Sequence, residues 1–149
     1  MTLDDALCHC LALRQASRTL TNGYDAALAP AGLRVTQFSI LLTLSERSPM
    51  TVNELASKLV LDRTTLTRNL KPLERDELLS TGPGEHDQRE RLIALTDAGR
   101  DKLAEALPRW RKAQAAFETR IGKMKTEELR ALLRTVVGSG IDEILSRQA

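Results

Sequence analysis

The sequence has no long apolar run, little cysteine and almost no net charge, and each shortage removes a class of protein. No stretch approaches the length of a membrane span, and the N-terminus lacks the charged start, apolar core and small-residue cleavage site of a secretory leader. The expectation is therefore a cytoplasmic protein with no membrane partner. The two cysteines, Cys8 and Cys10, stand two positions apart, where helical side chains point in different directions. They do not make a disulfide scaffold. A net charge of +2 is too mild to declare a nucleic-acid binder, so any basic surface must be local. What is present is 149 residues, 42% hydrophobic and 28% charged, which reads as one globular domain with an adequate core.

Helical patterns fill most of the chain. The first covers about residues 3–28, with Thr2 as N-cap, Asp4 and Asp5 in the first turn, and an end at Pro30 and Gly32. A shorter apolar helix follows at about 36–46, broken by "RSPM". "TVNE" at 51–54 fits a capping box, in which the Thr51 hydroxyl and the Glu54 carboxylate satisfy free N–H groups reciprocally, and predicts a short helix over 52–59. Asp62 then caps "RTTLTRNLKPLERDELL".

Two helices joined by so short a break form a helix-turn-helix candidate. In the second, Leu66, Leu70 and Leu73 recur at spacings of four and three and can pack inward, leaving Arg63, Thr64, Thr67, Arg68 and Lys71 for solvent or a partner. Between Ser57 and Arg75 five basic residues face two acidic ones, a local balance of +3. An ordinary solvated helix face is the alternative.

"STGPGEHDQRERLIAL" reads as strand, turn, strand: 78–81 lead in, 82–86 turn, 92–95 return. A hairpin directly after a helix-turn-helix is a wing. An arginine at its tip can enter the minor groove, where negative potential is greatest in narrow A·T-rich tracts. Asp87 and Arg89, two apart in extended chain, share a side, so Asp87 can hold the Arg89 guanidinium in orientation. The alternative is a hairpin in which the two merely pair. Arg91 adds a further basic residue to the same wing.

The remaining chain reads as two long helices, about 97–122 and 127–147, capped by Thr96 and Thr126. The last carries more apolar surface than one contact face requires, which points to a homodimer built from both chain ends, although simple core packing would use the same residues. Gly138 and Gly140 weaken that helix and mark either close backbone approach or a kink.

The order helix, helix, helix-turn-helix, wing, long helix, helix resembles the MarR family of dimeric bacterial transcription regulators over essentially the whole chain. "DRTTLTRNLKPLE" stands in the recognition-helix place, and "DQRERLIALTDAGRDKL" resembles the family's D-x-R wing followed by leucine-threonine and a glycine opening the next helix. The resemblance implies a mainly α fold with a small β-hairpin wing, a winged helix-turn-helix at about 36–96 within a single domain 1–149. Dimerisation helices would lie at about 1–30 and 123–149, with a connecting helix at 97–122. It implies double-stranded DNA with a pseudo-palindromic operator as partner, repression released by a small ligand or by thiol oxidation, and no cofactor. The implied DNA contacts are Arg63, Thr64, Thr65, Thr67, Arg68 and Lys71 on the recognition helix, with Asp87 and Arg89 on the wing; Arg91 beside them is a further candidate contact. Two departures stand out. Glu77 occupies a position where the family often has glycine, and Pro72 lies inside the recognition helix, where a bend is expected.

The first helix resembles that of OhrR-type peroxide sensors, with Cys10 in the place of the reactive cysteine and Tyr24 in that of one tyrosine; their other tyrosines correspond to Arg14 and Val35. Arg14, one turn after Cys10, can favour the thiolate by its charge. Redox sensing by Cys10 and Cys8 is thus one reading, and small buried hydrophobes the other. An apolar effector pocket walled by Leu13, Phe38, Leu42, Trp110 and Phe117 is a family-level alternative for the signal. A metal site from Cys8, His9, Cys10 and His86 is disfavoured, because consecutive helical residues fan around the axis. A thiol peroxidase using Cys10 lacks a visible resolving route. A winged helix serving only protein contacts would be indifferent to loss of Arg68 and Arg89.

Overall fold

The computed structural model describes residues 8–84 and 89–147. Its order is α1 (His9–Leu28), α2 (Val35–Glu46), β1 (Met50–Thr51), α3 (Val52–Leu59), α4 (Arg63–Arg75), β2 (Leu79–Pro83), β3 (Arg91–Leu95), α5 (Asp97–Ile121), α6 (Lys123–Gly138) and α7 (Ile141–Ser146). The described chain divides after Trp110 into two compact units.

In the first unit, α1 begins at His9, not near residue 3. Cys8 is its N-cap, in extended conformation, with Sγ accepting the Leu11 N–H at 3.3 Å. The Thr2 cap and the acidic first turn lie outside the described residues. α1 closes in a 3₁₀ turn, Ala29–Ala31, with Gly32 left-handed at φ 70°. Asp25 of α1 then accepts the Val35 N–H at 2.7 Å and so fixes the start of α2. α2 is the hub of the core: Phe38, Ile40, Leu41 and Leu44 are sealed against Leu55 of α3, Leu66, Leu70 and Leu73 of α4, and Ile93 of β3. Each such side chain stabilises the fold by about 1.5–3 kcal/mol through loss of apolar surface from water.

The capping box of α3 is present as read, with Glu54 N–H donating to Thr51 Oγ1 and Thr51 N–H to Glu54 Oε2. The strand β1 has no counterpart in the hairpin expected from the sequence. It is only two residues long, but it makes the hairpin into a three-stranded antiparallel sheet of order β1-β3-β2. Its pairs are Met50 with Ile93 and Thr51 with Leu92. The hairpin itself has five pairs, from Leu79 with Leu95 to Pro83 with Arg91.

Helix α4 ends at Arg75, four residues before the expected limit. The Leu78 N–H returns to the Leu73 carbonyl and the Glu77 N–H to that of Glu74, a Schellman closure that needs a left-handed residue between them. Glu77 supplies it at φ 57° although it is not glycine. The helix runs through Pro72 without interruption. The same closure ends α3, with Val60 at φ 53° and bonds from Leu61 to Ala56 and from Val60 to Ser57. A β-branched residue there costs roughly 1–2 kcal/mol, and Val60 is 68% exposed, so little burial offsets the cost. Replacing Val60 by Asn, which tolerates this conformation, is expected to raise the melting temperature by roughly 2–4 °C, on a gain of about 1 kcal/mol. A thermal melt at fixed protein concentration decides it; no change or a loss refutes the assignment of strain.

One junction joins the end of α4 to the start of α5. Thr96 donates its hydroxyl to the Glu77 carbonyl at 2.8 Å and accepts the Gly99 N–H at 3.0 Å, while its own N–H reaches the Leu78 carbonyl. Gly99 is buried against this turn. Further along α5, Leu103 and Ala106 join the core, and Trp110 stacks on Phe38 with ring centroids 5.6 Å apart.

In the second unit, α6 starts at Lys123, earlier than the expected 127. Gly122, at φ 97°, is its N-cap. Thr126 is buried inside the first turn, its hydroxyl donating to the Gly122 carbonyl, so it is not the cap. The expected single last helix is two: Gly140, left-handed at φ 62°, breaks the chain between α6 and α7. The glycines therefore mark a break. Leu132, Val136, Val137, Ile144 and Leu145 are 44–65% exposed.

Candidate nucleic-acid interface

The exposed face of α4 follows from its leucine spacing. With Leu66, Leu70 and Leu73 sealed in the core, Arg63, Thr64, Thr67, Arg68 and Lys71 line an open concavity on the opposite side. A second concavity runs from the start of α3 to the wing, lined by Thr51, Val52, Asn53, Arg63, Arg89, Glu90 and Arg91. Arg63 borders both, so the recognition face and the inner side of the wing are contiguous. Within this surface the cations outnumber the single carboxylate, Glu90. That is the local basic patch which composition alone could not reveal.

Caps hold both helices of the motif. Asp62 accepts the Thr65 N–H at 2.8 Å and the Thr65 hydroxyl at 2.6 Å, and these bonds, the hydroxyl's first, hold its carboxyl below the usual range. The backbone N–H of Thr51 does the same for Glu54, helped by the Arg47 charge, against a smaller opposing effect of burial. A carboxylate whose pKa is lowered by folding stabilises the fold at pH above its unfolded value, and this is lost as pH falls through the folded value. The melting temperature is thus expected to fall on acidification below the ordinary carboxylate range. Asp62→Asn, which keeps an acceptor but cannot titrate, should show a shallower fall; melts from pH 7 to pH 3 giving identical profiles would refute it.

Arg63, Thr64, Thr67, Arg68 and Lys71 are brought together on one face. Thr65 differs from them in that its hydroxyl donates to Asp62 Oδ2 at 2.6 Å, a structural role in the cap. Arg91 pairs with Glu74, its guanidinium 2.6 Å from Oε1, and so links the wing to α4. Arg89 is exposed on the wing. Asp87 and His86 lie outside the described residues, and with them the Asp87–Arg89 pairing. Glu74 and Asn53 were missed. Asn53 follows the capping threonine and was legible in principle, whereas Glu74 lies seventeen positions from Arg91, with no local pattern to connect them.

For the signal, Cys8 and Cys10 are both exposed in the chain, so the reading of them as buried hydrophobes is not what the structure shows. Tyr24 is half-buried and Arg14 exposed on α1. Phe38 is a filled core position stacked on Trp110 and Leu42 packs on the same core, while Leu13 is 40% exposed. Phe117 belongs to the second unit. Among the described residues no group of three or more His, Cys, Asp or Glu is placed to hold a metal ion, and no single helix is long and apolar enough to cross a membrane.

Residues 33–90, from the end of α1 to the wing, match the profile of the MarR family. The regulator MgrA of Staphylococcus aureus is 31% identical over 132 residues, 86% of each chain. The chain belongs to the MarR family of transcriptional regulators. The organic hydroperoxide resistance transcriptional regulator of Bacillus subtilis is 35% identical over 99 residues, a match spanning 66% of this MarR-family chain and 66% of that protein. The crystal structure of the Mycobacterium tuberculosis transcriptional regulator MosR in complex with DNA superposes with a TM-score of 0.76 at 39% identity, covering 87% of this chain and 96% of that one. The winged helix-turn-helix of this MarR-family protein is thus the observed sheet with α2, α3 and α4.

Proposed function

We propose that the protein is a homodimeric repressor that reads a pseudo-palindromic operator in double-stranded DNA in the cytoplasm. The observation that carries the reading is the continuous basic surface from the open face of α4, through Arg63, to the wing. Thr64, Thr67 and Arg68 would meet base edges in the major groove, Arg63 and Lys71 phosphates, and Arg89 the flanking minor groove. Two such modules related by a two-fold axis address half-sites roughly 10 bp apart. The exposed apolar residues of α6 and α7 supply a surface for a second copy, since a solvated helix has no use for so many. The relatives are regulators, and the two cysteines offer no resolving thiol beyond themselves, so the chain is read as a regulator and not as an enzyme.

Release of DNA is assigned to a small ligand or to oxidation of Cys10, and the exposure of Cys10 favours oxidation. In that step the thiolate attacks the distal oxygen of an organic hydroperoxide, the O–O bond breaks, and the sulfenate forms as an alcohol leaves.

The test is fluorescence anisotropy of labelled DNA from immediately upstream of the gene, titrated with reduced protein and with protein treated with an organic hydroperoxide. Tight binding that is lost on oxidation, restored by dithiothreitol and retained in Cys10→Ser supports both parts. Tight binding indifferent to oxidation keeps the DNA reading and transfers the signal to a small ligand. Absence of specific binding in either state counts against repression at that site.

A further inference from the structure

We propose that the Glu74–Arg91 ion pair is a strut that sets the angle of the wing to the recognition helix, making both residues positioning residues for DNA recognition. The inference rests on the DNA-binding reading above and adds to it a role for two residues that touch each other, not the DNA.

The core and β1 hold the hairpin as far as Leu92. Leu79 and Leu95 are buried at its base, the Leu95 N–H donates to Ser48 Oγ at 3.0 Å, and β1 pairs only with Leu92 and Ile93. Past the last β1 pair, at Leu92, the β2–β3 ladder continues by one residue to the Pro83–Arg91 pair. Beyond Leu92 β1 no longer flanks β3, and the two-stranded ribbon there is freer to twist than the three-stranded part. Arg91 stands at the end of the ladder, and its side chain leaves the ribbon to meet Glu74 in the last turn of α4.

At 2.6 Å it is the shortest of the ion pairs among the described residues, and Glu74, at 23% side-chain exposure, is the least exposed carboxylate in any of them. The bond thus closes a rigid loop from α4 through the hairpin and back. Arg89 lies two residues before Arg91, in the turn that leads into β3.

Charge and geometry make opposite predictions for Glu74, and this allows a clean test. Glu74→Gln removes a negative charge beside the proposed DNA face, so charge alone would tighten binding. A lost strut weakens it. The probe is a duplex enriched by the wild-type chain from a randomised pool. Glu74→Gln and Arg91→Gln are each expected to weaken binding about fivefold, the double variant no more than either, and the swap Glu74→Arg with Arg91→Glu to return to within about twofold of wild type. Without DNA, the Gly84 amide, which donates to the Glu90 carbonyl at 2.8 Å, should exchange its hydrogen faster in Glu74→Gln.

Unchanged or tighter binding by Glu74→Gln, together with a salt slope reduced by about one in Arg91→Gln, would make Arg91 a direct phosphate contact and overturn the strut. Unchanged exchange at Gly84 would overturn it as well. A wild-type chain that enriches no duplex removes the DNA reading itself, and the strut's role with it.

Discussion

Replacing Gly99 by alanine is expected to destabilise the protein by about 2 kcal/mol or more, although alanine is favoured over glycine by about 1 kcal/mol in a helix interior. The reason is the contact that an added Cβ would make. It would fall well inside the carbonyl oxygen of Leu78, 2.7 Å from Leu95 Cδ1 and 3.1 Å from the Leu78 carbonyl carbon. A flexible side chain could step aside, but the Leu78 carbonyl already accepts the Thr96 N–H and belongs to the turn that closes α4. The alternatives are to move the first turn of α5 or to break that turn, and both disturb the end of the recognition helix. Gly23, inside α1, has nothing within 4 Å of an added Cβ, so Gly23→Ala should stabilise by about 0.5–1 kcal/mol. Melts of the two variants at one protein concentration should thus move in opposite directions; a Gly99→Ala chain as stable as wild type would refute the close approach.

The second large effect is expected on DNA binding. Arg68 sits in the concavity between Thr64 and Lys71 and is exposed. If it forks onto a base, Arg68→Ala loses about 1–3 kcal/mol of discrimination, roughly five- to 150-fold, and the loss is larger on a selected duplex than on a scrambled one. Lys71, one helical turn from Thr67, is proposed to contact phosphate alone. Lys71→Ala should weaken both duplexes alike and reduce the salt slope by about one. Binding isotherms for the two variants, on selected and scrambled duplexes at several salt concentrations, separate the roles. Identical behaviour of the two variants on both duplexes would mean that neither assignment is right.

Legibility from the sequence tracked the range of the interactions. The caps at Thr51, Asp62 and Thr96 were readable because each partner lies three positions away, and so was the inward stripe of Leu66, Leu70 and Leu73. The true end of α4 was not, because the closing turn uses Glu77 in a conformation that glycine would have announced. Nor was β1, whose two residues pair with a strand some forty positions away and carry no alternation of their own. The same limit governs the interface. Grouping Arg63, Thr64, Thr67, Arg68 and Lys71 needed only helical geometry. The pairing of Arg91 with Glu74 needed their positions in space, for which the sequence carries no signature.

Thr51 is at once the last residue of β1 and the cap of α3, so no residue remains between the sheet and the helix-turn-helix to serve as a connector. This sets how the module can be recombined. A wing taken from another regulator cannot be spliced onto this chain at the hairpin alone, because the third strand of its sheet lies at residues 50–51, ahead of the helices it would join, with Ser48 holding the outgoing end of β3. A cut between Thr51 and Val52 would cost the sheet a strand and the helix its cap in one stroke. The wing and the two helices are, for a protein engineer, one part and not two.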